Sequence, residues 1–223
     1  MQHSHRDDDL TIVSFSNETP APPERRTSPR NISILRTALL RTRRFEELCL
    51  VRNISIGGLM AHVFCEVAVG DSLEIEFKSE RSVGGRVVWR RDQLVGVQFQ
   101  HPIDLAFVLS NQFEDARKSA RAPRVDVDVP ARIRSAATWQ PALLRNISQG
   151  GACLGIDPDT ELLETVLLEA PGLSIIPGSV RWRESDSVGI AFDRLVPFAD
   201  IAQWVADSHR AREGADDTLL AIE

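Results

Sequence analysis

A seven-residue pattern occurs twice in the chain, and this repeat restricts the possible folds more than any other feature. Arg-Asn-Ile-Ser-Ile-Gly-Gly at 52–58 returns as Arg-Asn-Ile-Ser-Gln-Gly-Gly at 145–151, 93 positions later. The same offset relates three further pairs: Trp89 and Trp182, Gly96 and Gly189, and Phe99 and Phe192. Repeats at a fixed spacing indicate duplicated structural units. The sequence therefore predicts two copies of one small domain in tandem.

The beginning of each copy matches at a slightly different spacing. Pro29-Arg30 corresponds to Pro123-Arg124 at an offset of 94, one more than the rest of the repeat. Loops tolerate insertions and deletions better than strands do. We therefore expect that the second copy lost one residue from a hairpin loop.

Each copy has the pattern of a β domain. In Leu73–Phe77 apolar and charged residues alternate strictly, as in a strand with one buried and one solvated face. Further short segments bounded by turn residues predict strands at Leu48–Asn53, Val83–Trp89 and Leu94–Phe99. Each copy then ends in a helical pattern, at Ile103–Arg117 and Pro197–His209. The first of these helices would also connect the two domains.

Charge divides the chain into a neutral body and two acidic ends. The net charge is −6, yet residues 1–23 and 211–223 each carry one arginine against four acids. Charged segments that are poor in apolar residues do not form a packed core. We expect a disordered acidic N-terminal tail over 1–23, a first β-barrel with its connector helix over 24–116, a second, degenerate barrel over 117–210, and a disordered acidic tail over 211–223.

Several classes of protein do not fit the composition. No apolar run approaches the ~18 residues of a membrane helix, and the N-terminus lacks the basic and apolar regions of a secretory signal. The three cysteines and five histidines lack metal-ligand spacing, so we expect buried, reduced thiols and no metal. The sequence shows no set of nucleophile, base and acid that would form a catalytic site. The expectation is a cytoplasmic protein that is not an enzyme.

The first copy carries residues suited to a compact anionic ligand. Arginines are concentrated between 25 and 52, where Arg26-x-x-x-Arg30 precedes Asn53-x-Ser55-x-x-Gly58. A guanidinium pairs with phosphate or with O6 and N7 of guanine, and it stacks on a base as lysine does not. Asparagine and serine supply polar contacts, and glycine allows close backbone approach.

These motifs, followed by Val-x-Trp and then Gly-Val-x-Phe at 96–99, resemble the PilZ domain over residues 24–113 and 117–210. The resemblance implies a mainly β protein of two small six-stranded antiparallel (split) β-barrels, each followed by an α-helix. It also implies a receptor for cyclic di-GMP, with no other cofactor, that controls motility, adhesion or exopolysaccharide through a protein partner. The ligand-binding residues would be Arg25, Arg26, Arg30, Asn53, Ser55 and Gly58.

The second copy departs from this motif. When Arg124 is aligned with Arg30, Ala120 stands where the first copy has Arg26. We expect this barrel to bind weakly or not at all, and to serve a structural or partner-facing role. Its candidate contacts are Arg121, Arg124, Asn146, Ser148 and Gly151.

Two other functions compete with the receptor. Either short motif alone is also typical of solvated arginines or of a polar turn between strands, so both barrels could be a ligand-independent scaffold for protein interactions. Binding of a nucleic-acid polymer is not expected, because the body is neutral and offers few aromatic platforms. The two repeated tryptophans, Trp89 and Trp182, are expected to pack in the core or at the barrel rim.

Overall fold

A computed structural model describes residues 32–77, 81–106 and 122–220, and within them two β-barrels and a helix. The first barrel consists of β1 Ile32–Arg41, β2 Glu46–Ser55, β3 Gly58–Val63, β4 Ser72–Phe77, β5 Arg81–Arg91 and β6 Leu94–Phe99. The second consists of β7 Val125–Ser135, β8 Thr138–Ser148, β9 Gly151–Gly155, β10 Thr165–Ala170, β11 Leu173–Glu184 and β12 Ser187–Phe192. Helix α1 spans Phe198–Leu220.

Both barrels have the same topology. The hydrogen-bonded order is β1-β2-β3-β6-β5-β4 in the first, closed by pairing of β1 with β4. The second has the corresponding order β7-β8-β9-β12-β11-β10, closed by β7 with β10. Every pair is antiparallel. The predicted mainly β architecture of two six-stranded antiparallel barrels is confirmed.

Alternating side chains supply two separate cores. Along β7 buried and solvent-facing residues alternate from Val125 to Ser135, since successive side chains of a strand point to opposite faces. The inward residues of β1–β6 form one apolar cluster. Those of β7–β12 form a second, against which Ile201, Trp204 and Val205 of α1 pack.

A β-bulge interrupts β2 and β8 at equivalent places. The register shifts between Val51 and Asn53 in β2, and between Leu144 and Asn146 in β8. Val51 and Ile54 are buried while the two residues between them are not. A bulge inserts one extra residue into the strand. Consequently two consecutive polar side chains, those of 52 and 53, lie on the outer face.

The register also locates the one-residue difference between the copies. Ser33 pairs with Asn53, and Asp126 pairs with Asn146, so the offset is already 93 at the start of β1 and β7. The hairpin that follows keeps this offset: Arg41 pairs with Glu46, and Arg134 with Trp139. The prediction of a deletion in a hairpin loop is wrong, because the difference lies before β1.

The two barrels contact each other through β1, β2 and α1. Leu39 and Leu48 face outward from the first barrel and join the apolar cluster of the second. His209 of α1 lies with Nδ1 2.8 Å from Oε1 of Glu47, a side chain only 1% exposed. Burying an aliphatic side chain contributes about 1.5–3 kcal/mol. The described parts of the two domains thus share a packed interface.

The ends of the domains differ in part from expectation. Helix α1 continues to Leu220, beyond the predicted helix at Pro197–His209 and into the segment from 211 that was expected to form a tail. Arg212 in this stretch donates to the carbonyl of Val127, which ties the helix to β7. The N-terminal tail and most of the first predicted helix lie outside the described residues, and so does the junction at 116–117.

Two smaller expectations can be compared with the described residues. No helix there is long and apolar enough to cross a membrane. The three cysteines are free thiols, and Cys49 and Cys65 are buried as expected, whereas Cys153 is only half-buried. Burial raises the pKa of the Cys65 thiol to about 12.

Candidate functional site

The serine and glycine of the motif shape the turn between two strands. Ser55 Oγ donates to the carbonyl of Gly58 at 3.0 Å, across the turn from β2 to β3. A Cβ on Gly58 would lie 2.4 Å from the carbonyl oxygen of Val97 on β6. Glycine is therefore required here for close backbone approach. The second barrel repeats both features, with Ser148 Oγ 3.2 Å from the Gly151 carbonyl.

The motif asparagine begins a row of side chains that crosses the outside of the first barrel. Ser33 pairs with Asn53, Asn53 with Met60, Met60 with Gly96, and Gly96 with Trp89. Residues directly opposite in a sheet share a face. We call this outer row, together with the turn at 55–58, the first motif face.

The tryptophan of this row lies on the surface and not in the core. Trp89 is 41% exposed, and a Cβ on Gly96 would be 2.0 Å from its Nε1. The indole therefore lies flat over the glycine, on the outside of β6. Trp182 covers Gly189 in the same way and is also 41% exposed. Of the two expected placements, the core is wrong for both tryptophans, since each side chain points outward from its strand, and packing at the barrel rim stays a prediction.

The second barrel has a corresponding row, which we call the second motif face together with the turn at 148–151. It runs through Asp126, Asn146, Cys153, Gly189 and Trp182. Here one predicted pair is brought together, because Arg124 Nη1 donates to Oδ1 of Asn146 at 2.9 Å. Among the other predicted residues, Arg25, Arg26, Arg30 and Arg121 lie outside the described part of the chain.

Two acids, one in the second motif face and one near it, have no counterpart in the first barrel. Asp126 takes the place of Ser33, directly beside the motif asparagine. Partial burial, followed by the nearby Glu46 and Asp128 carboxylates, raises its pKa above the ordinary aspartate value. Asp186 stands where the first barrel has Gln93. Its carboxylate binds Arg145, which holds the pKa of Asp186 below its usual range.

Sequence reasoning missed these acids, although the repeat contains the signal. Reading the two copies side by side at an offset of 93 pairs Asp126 with Ser33 and Asp186 with Gln93. What the sequence alone does not show is that Asp126 lies in the row of the second motif face and that Asp186 binds Arg145, the neighbour of Asn146. That placement depends on strand register and on the turn from β11 to β12.

One cavity of the first barrel lies away from the first motif face. A cavity of about 610 Å³ lies at the other end of the first barrel, lined by the β1–β2 turn, residues 66–68 and 70–72, and Arg90. It includes none of the motif residues. No group of three or more histidine, cysteine or carboxylate side chains within the described ranges could hold a metal ion.

Comparison with known proteins agrees with this architecture. The PilZ domain model matches residues 24–109 and 115–206, and the chain belongs to the PilZ family. No curated protein matches the sequence.

Three solved structures illustrate what the chain is similar to. PlzA of Borreliella burgdorferi in complex with c-di-GMP is 14% identical, over 78% of this chain and 87% of that one, with a TM-score of 0.33. YcgR of Escherichia coli in complex with c-di-GMP is 14% identical, over 82% and 88%, with a TM-score of 0.30. MrkH of K. pneumonia, a c-di-GMP-dependent transcription regulatory factor, is 12% identical, over 83% and 85%, with a TM-score of 0.29.

Proposed function

We propose that this chain is a receptor for cyclic di-GMP, that it binds the ligand on the first motif face, and that it catalyses no reaction. The observation that carries the proposal is the difference in charge between two faces of the same geometry. Both have the asparagine, the serine turn and the tryptophan row, but only the second has acids at 126 and 186. A ligand with two phosphates is attracted to the face without them.

The arginine-rich segment directly precedes β1, whose first residues lie beside Asn53. Arg30 precedes Ser33 by three residues, and Ser33 pairs with Asn53. An extended chain spans at most ~3.6 Å per residue, so the Cα of Arg30 is within ~11 Å of that of Ser33 and, across the strand pair, within ~16 Å of that of Asn53. We assign Arg25, Arg26 and Arg30 to phosphate and guanine, and Asn53 to a guanine edge. Ser55 and Gly58 hold the turn that positions Asn53.

The second barrel is proposed to relay the signal to a protein partner that controls motility, adhesion or exopolysaccharide. Asp126 lies beside Asn146, and the carboxylate of Asp186 forms an ion pair with Arg145. Carboxylates at these positions would repel the phosphates of a second ligand. Helix α1 contacts β2 of the first barrel and β7 of the second. It therefore offers a physical connection between the ligand face and the rest of the molecule.

Calorimetric titration with cyclic di-GMP tests the proposal. The unaltered chain should bind cyclic di-GMP and discriminate against cyclic di-AMP, since adenine presents an amino donor where guanine presents the O6 acceptor. The double variant R26A/R30A should lose binding, because each charged contact contributes about 2–5 kcal/mol. The same titration of a chain carrying Arg43→Ala, a change at the other end of the barrel, provides the control.

Three results would contradict this assignment. Binding that survives the double substitution would exclude the arginine segment from the site. No binding at all, together with stable capture of one protein partner, would favour a ligand-independent scaffold. Tight, salt-dependent binding of DNA or RNA by the ligand-free chain would favour a nucleic-acid-binding protein.

A further inference from the structure

The bulge of β2 exposes an arginine next to the motif asparagine. Because the register shifts between Val51 and Asn53, Arg52 and Asn53 lie side by side on the outer face. Arg52 is exposed. Without the bulge, strict alternation would turn one of these two side chains into the core.

The equivalent arginine of the second barrel is held in place by its neighbours. Arg145 Nη1 donates to Ser187 Oγ at 2.7 Å, and Nη2 donates to Asp186 Oδ2 at 2.5 Å. Its side chain crosses Gly155, where a Cβ would lie 2.8 Å from Nε. A glycine, a hydroxyl and a carboxylate together form a cradle for the guanidinium.

The first barrel lacks all three parts of this cradle. At an offset of 93, His62 replaces the glycine, Leu94 the serine and Gln93 the aspartate. His62 occupies the surface that Arg145 crosses in the other copy, and it packs against Phe64 with ring centroids 4.8 Å apart. Arg52 makes no hydrogen bond or ion pair within the residues that the structure describes.

We propose that Arg52 is a further ligand-binding residue, one that contacts a phosphate of cyclic di-GMP beside Asn53. This inference rests on the proposed function. A guanidinium without a carboxylate partner binds phosphate without first breaking an ion pair. The loss of the cradle in the copy that keeps Arg26 and Arg30 is what releases Arg52 for this contact. In the second copy the cradle and the incomplete arginine motif occur together.

Calorimetry with cyclic di-GMP on R52A, R52K and R145A tests the proposal. R52A should raise Kd at least about tenfold. R52K should retain most of the affinity, because lysine also pairs with phosphate as a point charge. R145A, which removes the same residue type from the same bulge position of the other barrel, should bind as the unaltered chain does. Thermal unfolding of each variant verifies that the barrels remain folded.

The outcomes separate this inference from the function on which it rests. If the unaltered chain binds cyclic di-GMP and R52A binds equally well, Arg52 is not a ligand contact, and the receptor assignment stands. An R52K variant as weak as R52A would overturn the phosphate contact. If the unaltered chain does not bind cyclic di-GMP, the receptor assignment itself fails.

Discussion

Gly58 shows how closely one residue of the motif is tied to its neighbours. The space that its missing side chain leaves is filled by the Val97 carbonyl on β6. The sequence pattern anticipated a glycine with backbone close by, and the structure adds which backbone it is. The ligand roles given to Ser55 and Gly58 therefore coexist with a structural role, since the Ser55 hydroxyl donates across the same turn.

Replacing Gly58 with alanine should destabilise the first barrel by about 1–3 kcal/mol, because the added methyl group has to displace backbone. Gly57 provides a matched control, as no atom would lie within 4 Å of its Cβ. Gly57→Ala should change the free energy of unfolding by no more than about 0.5 kcal/mol. Urea unfolding measures both, and equal effects would contradict the close approach to Val97.

Asp126 leads to a prediction about how the stability of the fold depends on pH. Its folded pKa is raised, chiefly by burial, so the folded state binds its proton more tightly than the unfolded state does. Its contribution to stability therefore falls as pH rises above about 4. Asp126→Asn should be more stable than the unaltered chain near neutrality, and this advantage should shrink at about pH 3. Urea unfolding at the two pH values measures the difference in the free energy of unfolding between the variant and the unaltered chain. A difference that is the same at both pH values would contradict the prediction.

At the scale of elements, the strands were more predictable than the helices. The four predicted strands all appear, since alternation between apolar and charged residues directly reflects the two faces of a barrel wall. The bulge in β2 was not predicted, although two polar residues between Val51 and Ile54 break the alternation. The end of α1 was placed too early, because the acidic composition of 211–223 concealed good helix formers among its residues.

Besides its apolar packing against the second barrel, helix α1 should contribute to stability through its contact with β2. His209→Ala removes one hydrogen-bond partner of Glu47, whose side chain is 1% exposed, and should cost about 2 kcal/mol. Arg210, on the next position of the helix, pairs with Asp207, and both side chains are about half exposed. Arg210→Ala should cost less than about 1 kcal/mol. Urea unfolding compares the two, and similar losses would show that the His209 contact contributes little.

For the whole molecule, the duplication explains both the symmetry of the fold and the asymmetry of the site. The repeat predicted two barrels, and the broken arginine motif predicted that they differ in binding. The repeat could not show which surface the differing residues share, because that depends on how β7 pairs with β8 and where the β11–β12 turn lies. Asp126 and Asp186 consequently emerged only from the structure.

Restoring the missing arginine should not by itself create a second site. Ala120→Arg leaves Asp126 and Asp186 in place, so this variant should bind the same amount of cyclic di-GMP per chain as the unaltered protein. Ala120→Arg combined with Asp126→Ser and Asp186→Gln, the residues of the first copy, should bind more. The number of cyclic di-GMP molecules bound per chain, measured by calorimetry, distinguishes the single variant from the triple variant. Additional binding by Ala120→Arg alone would show that the acids do not control the second face.

The central claim is that the first barrel binds cyclic di-GMP and the second does not. Arg30 and Arg124 occupy matched positions of the two motifs, so calorimetric titration of R30A and R124A with cyclic di-GMP is the most direct measurement. We predict that R30A loses measurable binding and that R124A keeps the Kd of the unaltered chain within about twofold. Loss of binding in R124A with binding retained in R30A would place the ligand on the second barrel and contradict the account.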